Sequence, residues 1–497
     1  MSHPAETAAA SSAPHRPWLA ALLSFVFPGL GQAYAGRRRM ALLLGLPALA
    51  LVVVVIGVVT GTIGGVRNSI FSSGFLVGVL VANGVLLLWR GVAIADAGLS
   101  PWGSIVGHDR RTALMVVAAL LVLSVGMHAW VGAVVLQLND TLGQVFGPDE
   151  QPPDPVEPGP SGDEPDDPDD PPIYHWDGTE RINVLLIGTD AAPGRQAVLT
   201  DVVLAISADP VTRTAVMISV PRDTGYVPLA DESLFDGGLY PDKVNELALQ
   251  ASLDPSRWCP DLADDPFGCG LRTIQRSVGL YLGIEFHHYA LVDMAGFAAM
   301  IDALGGLDLC LEGRLIDPEF DGSLANRGEG GLILEAGCRL YDGIDALAYA
   351  RSRKGWMEMS DGTIVGQNDF ARAERQQRVL LAMRQELAQA DTLFELPQLL
   401  RAIGTAVDTD FPRDRAGDLA SLLPLIAGPD IERVVLGYPD FVDLPVDPGV
   451  NYLLIPKRDV IREEMARLFG ADELSGWYLG TTEAGPGGAP EATKPGY

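Results

Sequence analysis

Residues 182–190 read INVLLIGTD, a six-residue apolar run closed by Gly188, Thr189 and Asp190. A short aliphatic run ended by a turn residue reads as a buried strand. The runs 202–207 and 215–220 follow at short spacing and read the same way. Helical spacing then appears at 271–282, a strand at 289–292, and a helix at 295–304 that ends at Gly305 and Gly306. A strand at 307–311 and helices at 343–349 and 369–388 complete the pattern. Strands interleaved with helices predict an α/β domain, layered α-β-α around a central, mainly antiparallel or mixed sheet. The order of its strands is not written in the pattern.

Upstream of this body the chain changes character. The runs 41–61, 74–95 (with Arg90 near its end) and 112–137 are each long and apolar enough to span a bilayer, which takes about 20 residues. The stretch 18–35 is shorter and is interrupted by Pro28-Gly29-Leu30-Gly31-Gln32. Ala33-Tyr34-Ala35 has the look of a signal-peptide cleavage site, but Arg37, Arg38 and Arg39 would then open the mature chain directly before another span. A hairpin or a broken helix is the preferred reading, with a full span as the alternative. Arginines at 37–39 and at 110–111 precede two of the long runs, and the positive-inside rule places both clusters in the cytoplasm. Everything after residue 140 is then expected outside, on a multi-pass anchor in the cell membrane.

Charge follows the same division. The 497 residues carry 35 Lys and Arg against 64 Asp and Glu, a net of −29. Residues 1–147 hold eight arginines, no lysine and four acids, a net of +4, which leaves −33 for the remainder. A body this acidic is a poor partner for a phosphate backbone, so nucleic acid is not an expected ligand. Residues 148–172 contain ten acids and ten prolines and read as an extended, solvated spacer. The expected organisation is a tail at 1–16, a membrane region at 17–140, an acidic Pro-rich linker at 141–176, a body at 177–470 and a disordered tail at 471–497.

Four cysteines, Cys259, Cys269, Cys310 and Cys338, all fall in the outer part. An even count in an oxidising compartment suggests two disulfides. Of the three possible pairings, Cys259–Cys269 and Cys310–Cys338 is favoured, because each closes a local loop. A zinc site fits poorly, since no CxxC pair is present and His287 and His288 are the only nearby imidazoles.

Polar residues cluster at the ends of the apolar runs. Asp190 ends the first strand and Asp201 opens the second; Arg222 and Asp223 follow the third, then Lys243 and Asn245. Far along lie Arg351 and Arg353, then Arg372, Arg375 and Gln376 at i, i+3, i+4, one helix face. Planar guanidinium groups grip phosphate through two parallel hydrogen bonds. Carboxylates at strand ends suit Mg²⁺, which takes oxygen ligands and keeps waters and phosphates in its shell. The pattern points to an anion clamp with a metal, although Arg375 beside Glu374 also reads as a solvated helix face.

In order and spacing, NVLLIGTD, the following TD, SVPRDT, DKVN, HHYALVDMAGFAAMIDALGG, LYDGIDALAYARSR and NDFARAERQQ resemble the LytR-CpsA-Psr family of bacterial cell-envelope enzymes. The resemblance covers about residues 181–377 and weakens towards 470. It implies a membrane-anchored phosphotransferase that moves a glycopolymer from a polyprenyl-pyrophosphate carrier onto peptidoglycan, forming a phosphodiester. It implies Mg²⁺ at Asp190 and Asp201, with pyrophosphate held by Arg222, Arg351, Arg353, Arg372 and Gln376. Lys243 is counted with that group. Cys310–Cys338 resembles a pair of actinobacterial members, and the segments near 289–304 would line a lipid tunnel. Asp201 is a candidate base for the acceptor hydroxyl.

Three features depart from the family pattern. Leu199 stands where an arginine is common beside the second acid, so Arg195 is considered as its substitute. Lys354 stands where a histidine often follows the second arginine of YARSR. Residues 254–270 form an insertion carrying two cysteines. The alternatives carried forward are a non-catalytic carrier-binding scaffold and a polyprenyl-pyrophosphate hydrolase.

Overall fold

The computed structural model describes residues 16–59, 72–100, 107–146, 179–189, 199–320, 331–387, 396–426, 431–445, 452–471 and 474. They fall into two units, Met1–Asp140 and Thr141–Tyr497.

The first unit is helical. α1 (Pro17–Val26) and α2 (Leu30–Tyr34) are separate helices, because the chain turns at 27–29, where Gly29 adopts φ 98°. A side chain there would be strained by that angle and would meet the Ala41 carbonyl at 2.5 Å. α3 (Arg38–Val59), α4 (Ser73–Leu99) and α5 (Gly107–Val145) follow. Among the described residues, Ser73–Leu99 and Arg110–Val145 are long and apolar enough to cross a membrane. The expected run at 41–61 ends partly outside the described residues. Buried Gln32 ties the α1–α2 turn to α4 by donating to the Ala93 carbonyl (2.9 Å) and to Asp96 (3.0 Å), and Arg37 pairs with Asp96 at 2.7 Å.

The second unit is built on a six-stranded mixed sheet. β1 (Ile182–Thr189), β2 (Thr200–Asp209), β3 (Thr214–Ser219) and β4 (His288–Asp293) are four of its strands. The order is Val407–Thr409, β4, β1, β2, β3, Glu432–Val435. β1–β2 and β2–β3 are antiparallel; β1–β4 and β3 with Glu432–Val435 are parallel.

Alternation of side chains along the strands makes both faces apolar. Leu185, Ile187, Val203, Ala205, Val216 and Ile218 face helices Val244–Leu253, Pro266–Leu282 and Arg458–Phe469. Ile182, Leu204, Ala208, Ala215 and Met217 face the other way, against Phe411, Leu422 and Ile431, with Leu380 and Leu381 of helix Asp369–Leu387 packed beside them. Burying one such side chain is worth about 1.5–3 kcal/mol, so two filled faces make the α-β-α layering the stable arrangement. Residues 141–146 pack within this unit: the Thr141 hydroxyl donates to the Leu400 carbonyl (2.9 Å), and Phe146 meets Phe411 edge-on.

A third cluster, around Leu307, Leu309, Leu315, Leu332, Tyr349 and Val379, joins a smaller four-stranded sheet and a two-stranded ribbon to helices Met294–Ala303, Gly343–Arg351 and Asp369–Leu387. In that ribbon Cys310 lies directly opposite Cys338, and the two are joined. Cys259–Cys269 is the second disulfide, so the pairing expected from loop closure is the one formed.

Candidate active site

A cavity of about 550 Å³ opens between the second face of the sheet and helices Met294–Ala303, Gly343–Arg351 and Asp369–Leu387. Its walls differ in character. Leu186, Val202, Val292, Phe297, Met300, Leu347, Val379, Leu380 and Met383 line it with hydrocarbon. Asp201, Arg222, Asp223, Lys243, Arg351, Arg353, Arg372 and Gln376 supply its polar groups.

Local structure aims each of these groups. Pairing of β1 with β2 runs from Gly188↔Val202 directly to Thr189↔Thr200, so Asp201 is the extra residue of a bulge. Bulges re-aim side chains next to functional sites. Gly188 allows the close approach, since a side chain there would meet Val202 at 2.7 Å. After β3, the turn carrying Arg222 and Asp223 is tied to the start of helix Val244–Leu253: the amides of Asn245 and Val244 donate to the carbonyls of Arg222 (3.2 Å) and Thr224 (2.9 Å). These amides of the helix's first turn have no intrahelical acceptor, so the loop satisfies them.

Arg351 closes helix Gly343–Arg351, and Arg353 follows the turn at Ser352. Buried Asp317 holds that turn, accepting from the Ser352 hydroxyl (2.8 Å) and from the amides of Arg353 (3.1 Å) and Lys354 (3.2 Å). Arg351 lies over the Phe320 ring at 5.7 Å, and Lys354 pairs with Glu319 at 3.0 Å. Helix Asp369–Leu387 is capped by Asn368, whose side chain accepts from the amides of Phe370 and Ala371. Its first turn presents Asp369 and Arg372, its second Gln376.

These elements meet at Asp369. Its Oδ1 lies 2.9 Å from Arg372, 3.6 Å from Arg222 and 3.9 Å from Arg353. Arg222 also bonds Asp201 at 2.7 Å, and Lys243 pairs with Asp223 at 2.8 Å. Gln376 donates to the Ala350 carbonyl at 3.5 Å. Burial opposes the charge of Arg222, yet Asp201, Asp369 and Asp223 hold its pKa above the ordinary value. Burial pushes Arg372 below its ordinary value, with Asp369 the chief opposing charge. Burial raises Asp223, which Lys243 only partly offsets. Arg222 and Arg372, both desolvated and directed at one point together with Arg353, present guanidinium donors of the kind that grip an anion.

The structure thus brings together Asp201, Arg222, Lys243, Arg351, Arg353, Arg372 and Gln376 from five separate stretches. Asp190 and Arg195 lie outside the described residues. Arg375 does not share the open face expected of it. It is buried, and it donates to the carbonyls of Tyr349 (2.8 Å) and Ser352 and to Gln367, so it braces the Arg351–Arg353 turn from below. Its solvated-face alternative is also incorrect, because Tyr349 and its neighbours cover it. Sequence reasoning missed Asp369 and Asp317. Asp369 reads as an ordinary acid in a first helical turn, and nothing around Asp317 distinguishes it.

A sequence model of the LytR_cpsA_psr family matches residues 162–443, and the chain belongs to that family. Among curated relatives, the polyisoprenyl-teichoic acid–peptidoglycan teichoic acid transferase TagU of Halalkalibacterium halodurans is 27% identical over 281 residues, covering 56% of this chain and 76% of that protein. Regulatory protein MsrR of Staphylococcus aureus is 27% identical over 232 residues, covering 47% of this chain and 57% of MsrR. Among solved structures, TagV of B. subtilis is 21% identical with a TM-score of 0.41, covering 58% of this chain and 96% of that one.

Proposed function

We propose that this protein is a membrane-anchored phosphotransferase that moves a glycopolymer from a polyprenyl-pyrophosphate carrier onto peptidoglycan outside the cell. The observation that carries this reading is the two-sided cavity, with Arg222, Arg351, Arg353 and Arg372 among the charged groups of one wall and hydrocarbon on the other. The chain's likeness to TagU, named a teichoic acid transferase acting on peptidoglycan, supports the same reaction class.

The donor's two parts match the two walls. A prenyl chain seated among Leu186, Phe297, Met300, Val379 and Met383 gains about 0.8 kcal/mol per buried CH₂. The pyrophosphate lies against the arginines with Gln376 and Lys243. The acceptor hydroxyl oxygen bonds to the phosphorus that bears the glycan, and the bond from that phosphorus to the bridging oxygen breaks. Polyprenyl phosphate leaves with the bridging oxygen, and the hydroxyl proton passes to a carboxylate. Asp201 is proposed for that proton, because its side chain is 23% exposed while that of Asp223 is 5% exposed. Charge grows on the departing phosphate, and arginines already fixed in place stabilise it without reorganising.

Mg²⁺ is proposed as the metal, with Asp201 the carboxylate that faces the cavity. Among the described residues no group of three or more acidic, histidine or cysteine side chains is arranged to hold a metal. Mg²⁺ does not need one, since it commonly takes one or two carboxylates and completes its shell with phosphate oxygens and water. Asp201 and Asp190 would hold it, and it would neutralise charge on the phosphates.

The test uses the full-length protein in detergent, a polyprenyl-pyrophosphate-linked glycan and Mg²⁺, with polyprenyl phosphate as the product followed. Turnover that falls at least about 100-fold in Arg351→Ala is expected. Donor binding without any product would refute the transferase reading and identify a carrier-binding scaffold.

A further inference from the structure

The clamp accounts for the donor and leaves the acceptor without a seat. Three exposed tyrosines sit on loops joined to the turn that carries Arg222 or to the start of helix Asp369–Leu387. Leu454 pairs in parallel with Thr224: its amide donates to the Asp223 carbonyl (2.9 Å), and its carbonyl accepts from Gly225 (3.0 Å). Tyr452 lies two residues before this bridge, close enough to Asp223 and Asp369 to feel their charge. Its phenol is 38% exposed, and burial together with Asp223 and Asp369 raises its pKa.

Tyr226 lies further along the same loop. It holds φ 56°, a left-handed conformation that is uncommon for a bulky residue. Its amide donates to Tyr240 (3.0 Å), and its carbonyl accepts from Arg458 (3.2 Å), while its ring is 40% exposed. Non-glycine residues kept in such a conformation cluster at functional sites. A third ring, Tyr438, is 50% exposed. Its neighbour Gly437 packs against Phe370, next to Asp369, and Pro439 accepts from Lys457, adjacent to the Arg458 that fixes Tyr226.

We propose that Tyr452, Tyr226 and Tyr438 form a binding subsite for the acceptor polysaccharide, a linear chain of pyranose rings with a free hydroxyl. A phenol ring offers a flat apolar face to the C–H side of a pyranose and a hydroxyl at its edge to the sugar's oxygens. Rings on loops that adjoin the Arg222 turn would grip the sugars and deliver one hydroxyl to the clamp. This subsite deepens the transferase reading and rests on it for the acceptor's identity.

Co-sedimentation of the full-length protein in detergent with purified peptidoglycan sacculi tests it, without need of turnover. Tyr452→Ala and Tyr226→Gly should each weaken binding about tenfold, and Tyr452→Phe should keep it. Tyr226→Gly removes the ring at a backbone angle that glycine favours, so a loss there is not misfolding, and thermal unfolding of each variant checks the point. Wild-type protein that does not sediment, or truncations that sediment like wild type, would overturn the subsite. If sacculi are bound through the tyrosines but no polyprenyl phosphate is made, the transferase reading fails and the subsite stands. If transfer proceeds and both truncations leave the acceptor KM within about twofold, the subsite fails and the transferase reading stands.

Discussion

Removing the Asp369 carboxylate tests the architecture of the clamp. Asp369→Asn keeps the shape of the side chain and deletes the charge facing Arg372, Arg222 and Arg353 at 2.9, 3.6 and 3.9 Å. Arg222 and Arg353 keep other compensation: Arg222 still has Asp201 at 2.7 Å, and Arg353 is 34% exposed to water. Arg372 is the most deeply covered of the three, since its side chain is 6% exposed, and Asp369 is the first of its opposing charges, ahead of Asp201 and Asp223. Stripping the partner from a buried cation costs about 3–5 kcal/mol. With entropy of unfolding near 2 cal/mol/K per residue and roughly 300 folded residues, 3 kcal/mol lowers Tm by about 5 °C. Thermal unfolding of the full-length variant, scored against Asp459→Asn on an exposed helix turn, measures this. Inorganic pyrophosphate should restore more of the loss in Asp369→Asn than it adds to wild type, because the anion replaces the missing charge. A Tm within about 1 °C of the surface control would refute the hub, since the buried guanidinium would then not depend on Asp369.

Further outcomes follow from the same contacts. Arg222→Lys keeps a charge but loses the fork that spans Asp201 and Asp369, and donor turnover should fall at least about tenfold with Tm little changed. Replacing Cys338 with serine opens a 28-residue loop and should cost about 3–4 kcal/mol in thermal stability, abolished as a difference when both proteins are reduced. Burial pushes His287 down to about 4, so it stays neutral in the folded state where the unfolded chain would take up a proton. Its contribution is full above about pH 6.5 and is lost as pH falls towards 4. The slope of stability against pH over that window should flatten in His287→Gln.

Much of this protein is local and therefore readable along the chain. The aliphatic runs 182–187, 202–207 and 215–220 mark the first three strands, and the spacing at 271–282 marks a helix that the structure begins earlier, at Pro266, inside the inserted segment. The apolar segments at Ser73–Leu99 and Arg110–Val145 follow from composition. Both disulfides follow from loop closure, which favours near partners. The arginines that line the cavity stand in motifs whose order along the chain resembles the family's, and motif order needs no coordinates.

What only the tertiary structure decided is which charges answer one another. Arg372 and Arg375 are three residues apart on one helix and look equivalent in sequence. One borders the cavity beside Asp369, while the other is turned onto the carbonyls of Tyr349 and Ser352, because helix Gly343–Arg351 crosses behind it. Asp317 and Asp369, 52 positions apart, became the two carboxylates that set the clamp, one through backbone amides and one through guanidinium groups. The bulge that frees Asp201 arises from pairing between two strands and is not visible in either alone. Periodicity and composition record each residue's preference for water or hydrocarbon along its own segment. Partnership between charges depends on distances of 3–4 Å across segments, and those are set when the layers pack.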